Sequence, residues 1–215
     1  MPLFISFEGI EGTGKTTQIS LLAQRLRQRS GQVLVTREPG GCPIADTIRA
    51  ILLDPTSAGL VPRAELLLYA AARAQHVEEV IRPALLTGRT VLCDRFIDAT
   101  LAYQGYGRGL DLRMIGDLNR LAAGPVTPDL TLLLDLPEAL GLQRARRRNT
   151  QLALESEERF ERESLEFHQR VRLGYLELAR QESRFRVIDA VGSVAEVAAR
   201  IGAAVDDFLQ SREGR

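Results

Sequence analysis

Apolar positions along the chain fall into two rhythms. Five short, nearly continuous runs read as buried strands: Leu3-Phe4-Ile5-Ser6-Phe7, Val33-Leu34-Val35-Thr36, Thr90-Val91-Leu92-Cys93, Leu130-Thr131-Leu132-Leu133-Leu134 and Phe185-Arg186-Val187-Ile188. Between them lie longer stretches with helical spacing, one from about Lys15 to Gln28 and another containing Ala70 to Val80. Strands that are apolar throughout need cover on both faces, which means a parallel sheet with helices above and below. Right-handed crossovers then leave a doubly wound α/β fold, whose ligands gather at the C-terminal strand ends. No repeat, linker or composition shift divides the chain, so the pattern predicts one domain over residues 1–215.

Composition adds exclusions. At 215 residues, 45% hydrophobic and 26% charged, the chain sits near the globular average and can bury a substantial core. Basic and acidic residues both total 28, so no global positive field draws it to nucleic acid or to an anionic membrane. The early apolar run from Leu3 to Phe7 is too short for a signal sequence or a membrane span. Cys42 and Cys93 form neither a metal-ligand spacing nor a disulfide framework. These features predict a soluble cytoplasmic domain. One oddity stands out: every basic residue but Lys15 is an arginine.

That lysine belongs to Gly9-Ile10-Glu11-Gly12-Thr13-Gly14-Lys15-Thr16, which matches G-x-x-x-x-G-K-[ST] between the first strand and the first helix. The glycines let backbone N–H groups converge on phosphate oxygens, and the helix N-terminus adds partial positive charge. Lys15 reaches the β- and γ-phosphates of a nucleotide, and the Thr16 hydroxyl is a ligand for Mg²⁺. With Lys15 as the sole lysine, the guanine-reading pattern N-K-x-D of GTPases cannot occur.

The remaining chemistry lies at the strand ends. Thr36-Arg37-Glu38-Pro39-Gly40-Gly41 turns tightly and sets Arg37 at the sheet rim, where a guanidinium suits a second phosphate. Asp94, ending the third strand, occupies the place of a Walker B aspartate that holds Mg²⁺ or its water, and Arg95 adds another guanidinium. Tyr69 and Arg73 share a helix face at i, i+4: a ring to stack a base and a donor for its carbonyl edge, though ordinary packing uses the same spacing. Residues 144–162 are dense in charge, which suits either a solvated helix face or a lid that closes arginines on a transferring phosphoryl group.

Taken together, the motifs resemble those of the bacterial thymidylate kinases, nucleoside monophosphate kinases acting on dTMP. The resemblance runs over essentially the whole chain through Phe7 to Thr17, Thr36 to Gly41, Asp94 to Asp98 with Leu101 to Gly105, Pro128 to Thr131, and Arg159-Phe160-Glu161 onward through His168 to Leu176. It implies a P-loop NTPase fold with a five-stranded parallel sheet, helices on both faces and an arginine-rich lid, with ATP, Mg²⁺ and a homodimer. It assigns ATP to Ile10 through Thr17, the metal to Thr16 and Asp94, and the dTMP phosphate region to Arg37, Arg49 and Arg95. Tyr69 takes the thymine-stacking position, Arg73 hydrogen-bonds the thymine, Thr100 and Gln104 face the base and Tyr103 lies by the sugar. Glu11 sits near the 3′-hydroxyl and the metal. Ala99 stands where many members carry serine, so base contact rests on Thr100. The P-loop lacks an arginine, which resembles the subtype that supplies its catalytic arginine from the lid; Arg148 and Arg159 are the candidates beside Lys15 and Arg95.

The expected reaction is ATP + dTMP → ADP + dTDP. Two alternatives stand beside it: a kinase of another small acceptor on the same fold, and a catalytically silent nucleotide-binding regulator.

Overall fold

In the computed structural model, residues 2–152, 160 and 163–213 are described. The first strand, β1 (Phe4–Glu8), enters the glycine-rich loop and helix α1 (Lys15–Ser30). β2 (Val33–Arg37) leads into α2 (Pro43–Leu53), a short 3₁₀ turn at Pro55–Gly59, and α3 (Pro62–His76). A wide-turned segment, Val77–Ile81, continues α3 into α4 (Arg82–Leu86). β3 (Thr90–Asp94) is followed by α5 (Ile97–Thr100), a second wide-turned segment Leu101–Gly107, and α6 (Leu112–Ala123). β4 (Leu130–Asp135), α7 (Glu138–Leu152), α8 (Leu165–Gln181), β5 (Phe185–Asp189) and α9 (Val194–Glu213) complete the chain.

The five strands form one parallel sheet in the order β2-β3-β1-β4-β5. β1 therefore lies at the centre, with Phe7 opposite Asp94 of β3 and Glu8 opposite Leu133 of β4. Alternation along β1 sorts its residues between the two faces. Ile5 and Phe7 pack with Ile19 and Leu22 of α1 and with Val197 and Ile201 of α9. Phe4 faces the other way, against Val77, Ile81 and Phe96. Ser6 follows it onto that side, where its hydroxyl meets that of Thr131 at 2.9 Å. Glu8 is next in the same register, so a carboxyl is carried into the interior at the strand's end.

Every strand of the sequence reading is present, and each ends one residue later than its apolar run. The added residues are Glu8, Arg37, Asp94, Asp135 and Asp189. The helix expected around Ala70 to Val80 is also present, but it widens after His76 instead of running on as a uniform α-helix. Residues 144–152, the first part of the expected lid, continue α7.

Candidate active site

A cavity of about 730 Å³ opens over the C-terminal ends of β1, β2 and β3. On one side is the glycine-rich loop. Gly12 has φ 72°, and a Cβ there would meet the Gly141 carbonyl oxygen at 2.0 Å, so the loop lies against the start of α7 backbone to backbone. α1 begins after Gly14 in a left-handed conformation with no side-chain cap, leaving its first N–H groups to a ligand. Lys15 is buried, and its Nζ donates to the carbonyls of Gly9 (3.0 Å) and Ile10 (2.9 Å) and reaches Thr13 Oγ1 at 3.4 Å. Burial and the nearby Arg95 guanidinium pull the ammonium down to about 8, against Asp94, Glu11 and Glu8. A polyanion arriving here favours the charged form. The Thr16 hydroxyl donates to Asp94 Oδ2 at 3.1 Å, joining the two residues expected at the metal.

Arg95 spans the middle of the cavity. It is the one non-glycine among the described residues with positive φ, 70°. Backbone in this region costs about 1–3 kcal/mol and persists where the surroundings impose it. The guanidinium lies 4.7 Å over the Tyr103 ring and donates to Glu11 Oε1 at 3.0 Å. The Tyr103 hydroxyl donates to the same oxygen at 2.6 Å. Glu11 Oε2 is 3.2 Å from His168 Nδ1, close enough for charge but without hydrogen-bond alignment. Burial raises the Glu11 carboxyl, but Arg95, His168 and Lys15 outweigh it and hold the group well below the usual carboxylate range.

On the far side, α3 supplies Arg73 and Tyr69. Arg73 is only 2% exposed and forms a dense set of bonds: Nε to Glu38 Oε2 (2.7 Å), Nη1 to Asn119 Oδ1 (2.7 Å), and Nη2 to the Phe96 carbonyl (3.0 Å) and Thr100 Oγ1 (2.9 Å). Four of the five guanidinium N–H groups are thus engaged within the protein. His76 Nδ1 approaches Glu38 Oε1 at 3.0 Å, and its Nε2 meets Thr36 Oγ1 at 2.6 Å. This buried network ties β2 to α3, α5 and α6. Gln104 donates from its amide nitrogen to Glu65 Oε1 at 2.9 Å, which sets the direction of the amide. Tyr69, half-buried, lines the cavity beside Phe160. At the rim, Arg37 pairs with Asp46 at 2.9 Å and Arg49 donates to the Pro39 carbonyl at 3.0 Å.

The expected residues therefore converge. Glu11, Gly12, Gly14, Lys15, Thr16 and Thr17 line the cavity from the loop side. Arg37, Arg49, Tyr69, Arg73, Asp94, Arg95, Thr100, Tyr103 and Gln104 line it opposite. Ile10 and Thr13 are buried behind the loop, where Thr13 Oγ1 donates to the Ile10 carbonyl at 3.1 Å. Arg159 lies outside the described residues; Arg148 lies on α7, but its side chain is outside them. Sequence reasoning gave no role to Glu8, Glu38, Glu65, Asn119, His168 or Tyr175. Glu8, Glu38, His168 and Tyr175 stood inside quoted motifs, and for Glu8 a polar residue closing an apolar strand was a further signal. Nothing in the spacing pointed to the pairing of His168 with Glu11, 157 positions away.

The family model described as thymidylate kinase matches residues 7–201. A thymidylate kinase of Syntrophotalea carbinolica is 65% identical over 94% of each chain, and one of Geobacter sulfurreducens is 60% identical over the full length of both. The crystal structure of thymidylate kinase from Ehrlichia chaffeensis superposes with a TM-score of 0.77 at 35% identity, over 95% of this chain and 98% of that one. With its central glycine-rich loop, its five parallel strands and near-complete coverage by such relatives, this chain belongs to the thymidylate kinase family.

Proposed function

We propose that the protein transfers the γ-phosphoryl group of ATP to dTMP, giving ADP and dTDP. The observation that carries this reading is the cavity itself, which sets a phosphate-binding loop opposite a base-sized pocket with Arg95 between them. An oxygen of the dTMP phosphate attacks the γ-phosphorus, and the bond to the β-phosphate oxygen breaks as ADP leaves. No side-chain nucleophile is required; positioning and charge stabilisation do the work. Lys15 exchanges its carbonyl partners for the β- and γ-phosphates. Arg95 and the rim arginines Arg37 and Arg49 hold the acceptor phosphate. Tyr69 stacks the thymine, and Tyr103 and Glu11 serve the sugar. The Thr100 oxygen accepts from Arg73, so its own proton is available to a ring carbonyl, as is the fifth N–H of Arg73. Gln104, braced by Glu65, faces the same base.

Thr16 and Asp94 are hard oxygen donors, and the described residues contain no group of three or more His, Cys, Asp or Glu around one point. Such a sparse set suits Mg²⁺, which keeps waters and substrate phosphates in its shell. When bound, the ion neutralises charge on the β- and γ-phosphates. Within a single domain, residues 144–162 act as the lid, with Arg148 and Arg159 the candidates for the transferring phosphoryl group and closure excluding water from it. Ile44 and Ile51, two turns apart on α2, and Leu67 on α3 are exposed, and these apolar side chains support a homodimer. No described helix is long and apolar enough to cross a membrane. We place the reaction in the cytoplasm, in keeping with the free buried thiols of Cys42 and Cys93.

Acceptor-dependent ADP release, measured across the common nucleoside monophosphates at fixed ATP, tests the reading. The largest kcat/KM is expected for dTMP. A higher value for another acceptor would replace dTMP with that acceptor, and ATP binding without any acceptor-dependent release would leave a silent binding protein.

A further inference from the structure

Glu8 closes β1 with its side chain fully buried, on the side of the sheet facing α5 and α8. Its Oε1 accepts the Phe96 amide N–H at 2.8 Å, and its Oε2 lies 2.9 Å from the Tyr175 hydroxyl. Both partners adjoin Arg95. Phe96 follows it in the chain, and the Tyr175 oxygen is 3.5 Å from Arg95 Nη1. The Arg95 turn, with its φ of 70°, is thus fastened on both sides of the unusual residue. Arg95 N–H donates to the Phe7 carbonyl at 2.9 Å, a backbone bond that any residue at position 7 would supply. The bond from Phe96 depends on the side chain at position 8.

We infer that Glu8 is the positioning residue for Arg95: by holding the Phe96 amide and the Tyr175 hydroxyl, it keeps Arg95 in its left-handed turn with the guanidinium aimed over Tyr103 at the acceptor phosphate. This rests on the reading that Arg95 serves that phosphate. The chemistry of the carboxyl fits the role. Burial and the neighbouring Asp98 raise it to about 8, against Arg95, Tyr175 and the Phe96 amide. The Phe96 N–H donates to Oε1 and the Tyr175 O–H donates to Oε2, so the two bonds call for acceptor oxygens at position 8. The amide of glutamine keeps an acceptor for the Phe96 N–H and sets its NH₂ against the Tyr175 oxygen, which can accept in turn.

The test compares Glu8→Gln and Glu8→Leu, each alone and combined with Arg95→Ala, by steady-state kinetics against dTMP and ATP. Misplacing a reacting group by about 1 Å costs on the order of 10²-fold. Glu8→Leu is therefore expected to lose roughly 10–100-fold in kcat/KM for dTMP, with the KM for ATP changed less than about threefold. Glu8→Gln is expected to stay within about threefold of wild type for both substrates. In the Arg95→Ala background, Glu8→Leu is expected to add less than about twofold, because residues acting as one unit are not additive. If Glu8→Leu does not fold, Tyr175→Phe gives the same pattern at smaller size, selective for dTMP and absent without Arg95. Equal losses for both substrates, Gln as damaging as Leu, or a full additional loss on top of Arg95→Ala would overturn the inference. If Arg95→Ala itself leaves dTMP kinetics intact, the reading of Arg95 falls and this inference falls with it; if Arg95→Ala is damaging and the losses add, the Glu8 inference falls alone.

Discussion

Lys15 on the donor side and Arg73 on the acceptor side are both buried cations lining one cavity, yet they are held by opposite means. Lys15 rests on loop carbonyls and a hydroxyl within six residues of itself. Arg73 is braced by a carboxylate, an amide, a carbonyl and a hydroxyl drawn from three other segments of the chain. Carbonyl contacts give the ammonium no directly paired carboxylate, so a phosphate can take it over with little rearrangement. The guanidinium is already neutralised by Glu38 and nearly saturated, so it shapes a pocket more than it attracts an anion. The donor half is a cradle made by local backbone, and the acceptor half is a rigid wall made by tertiary structure.

That contrast breaks most visibly at Glu38. Replacing it with alanine strips a buried guanidinium of its charge partner, a change that costs about 3–5 kcal/mol. Denaturant unfolding should show a loss of that order, and a loss under about 1 kcal/mol would mean the network is not structural. A pH scan sharpens the comparison through two carboxylates three residues apart. Folding raises Glu8 from its ordinary 4.5 to about 8, so the folded state holds a proton that the unfolded chain lacks between those values. Its contribution to stability therefore falls as pH rises from about 4.5 to 8. Folding lowers Glu11, whose contribution is present above the ordinary 4.5 and is lost as pH falls below it. Between pH 5 and 8.5, wild type should lose stability relative to Glu8→Gln; parallel curves would remove the assigned shift.

Lys15→Ala should lower kcat by about 10²–10³-fold, as for removal of one charge contact to a transition state, roughly 2.7–4 kcal/mol. A folded variant that keeps more than a tenth of the wild-type rate would sink the donor role. Tyr69→Ala should weaken dTMP binding about tenfold or more, since stacking one base contributes roughly 1–3 kcal/mol. Tyr69→Phe keeps the ring and should bind normally. Smallest of all, Asp46→Asn removes an exposed partner of Arg37, and such pairs contribute about 0–1 kcal/mol, so stability should barely move.

The donor half was readable because its signal is contiguous: strand, glycines, lysine and helix follow one another within about two dozen residues. The strands were readable for the same reason, but their last residues were not. Hydrophobic patterning stops at Phe7, Thr36, Cys93, Leu134 and Ile188, and the ladder runs one residue further into Glu8, Arg37, Asp94, Asp135 and Asp189. Those polar ends are where the sheet meets its ligands or braces its loops, so the apolar signal fades where the chemistry starts. The acceptor wall was legible by resemblance and not by spacing. Tyr69 and Arg73 at i, i+4 said that two side chains share a face, but not that Glu38 or Asn119 would meet them. His168 beside Glu11, and Tyr175 beside Glu8, depend on α8 packing across the segment Leu101–Gly107, which no local pattern encodes.

The most direct measurement of the division between cradle and wall is equilibrium titration of Lys15→Ala and Tyr69→Ala, each with dTMP and with a non-hydrolysable ATP analogue. The account predicts a crossed result: Lys15→Ala binds dTMP within about threefold of wild type while binding the analogue more weakly, and Tyr69→Ala does the reverse, with the losses set by a charge contact and a stacked base. Variants that lose both ligands together, while remaining folded, would contradict it and make the cavity one undivided site.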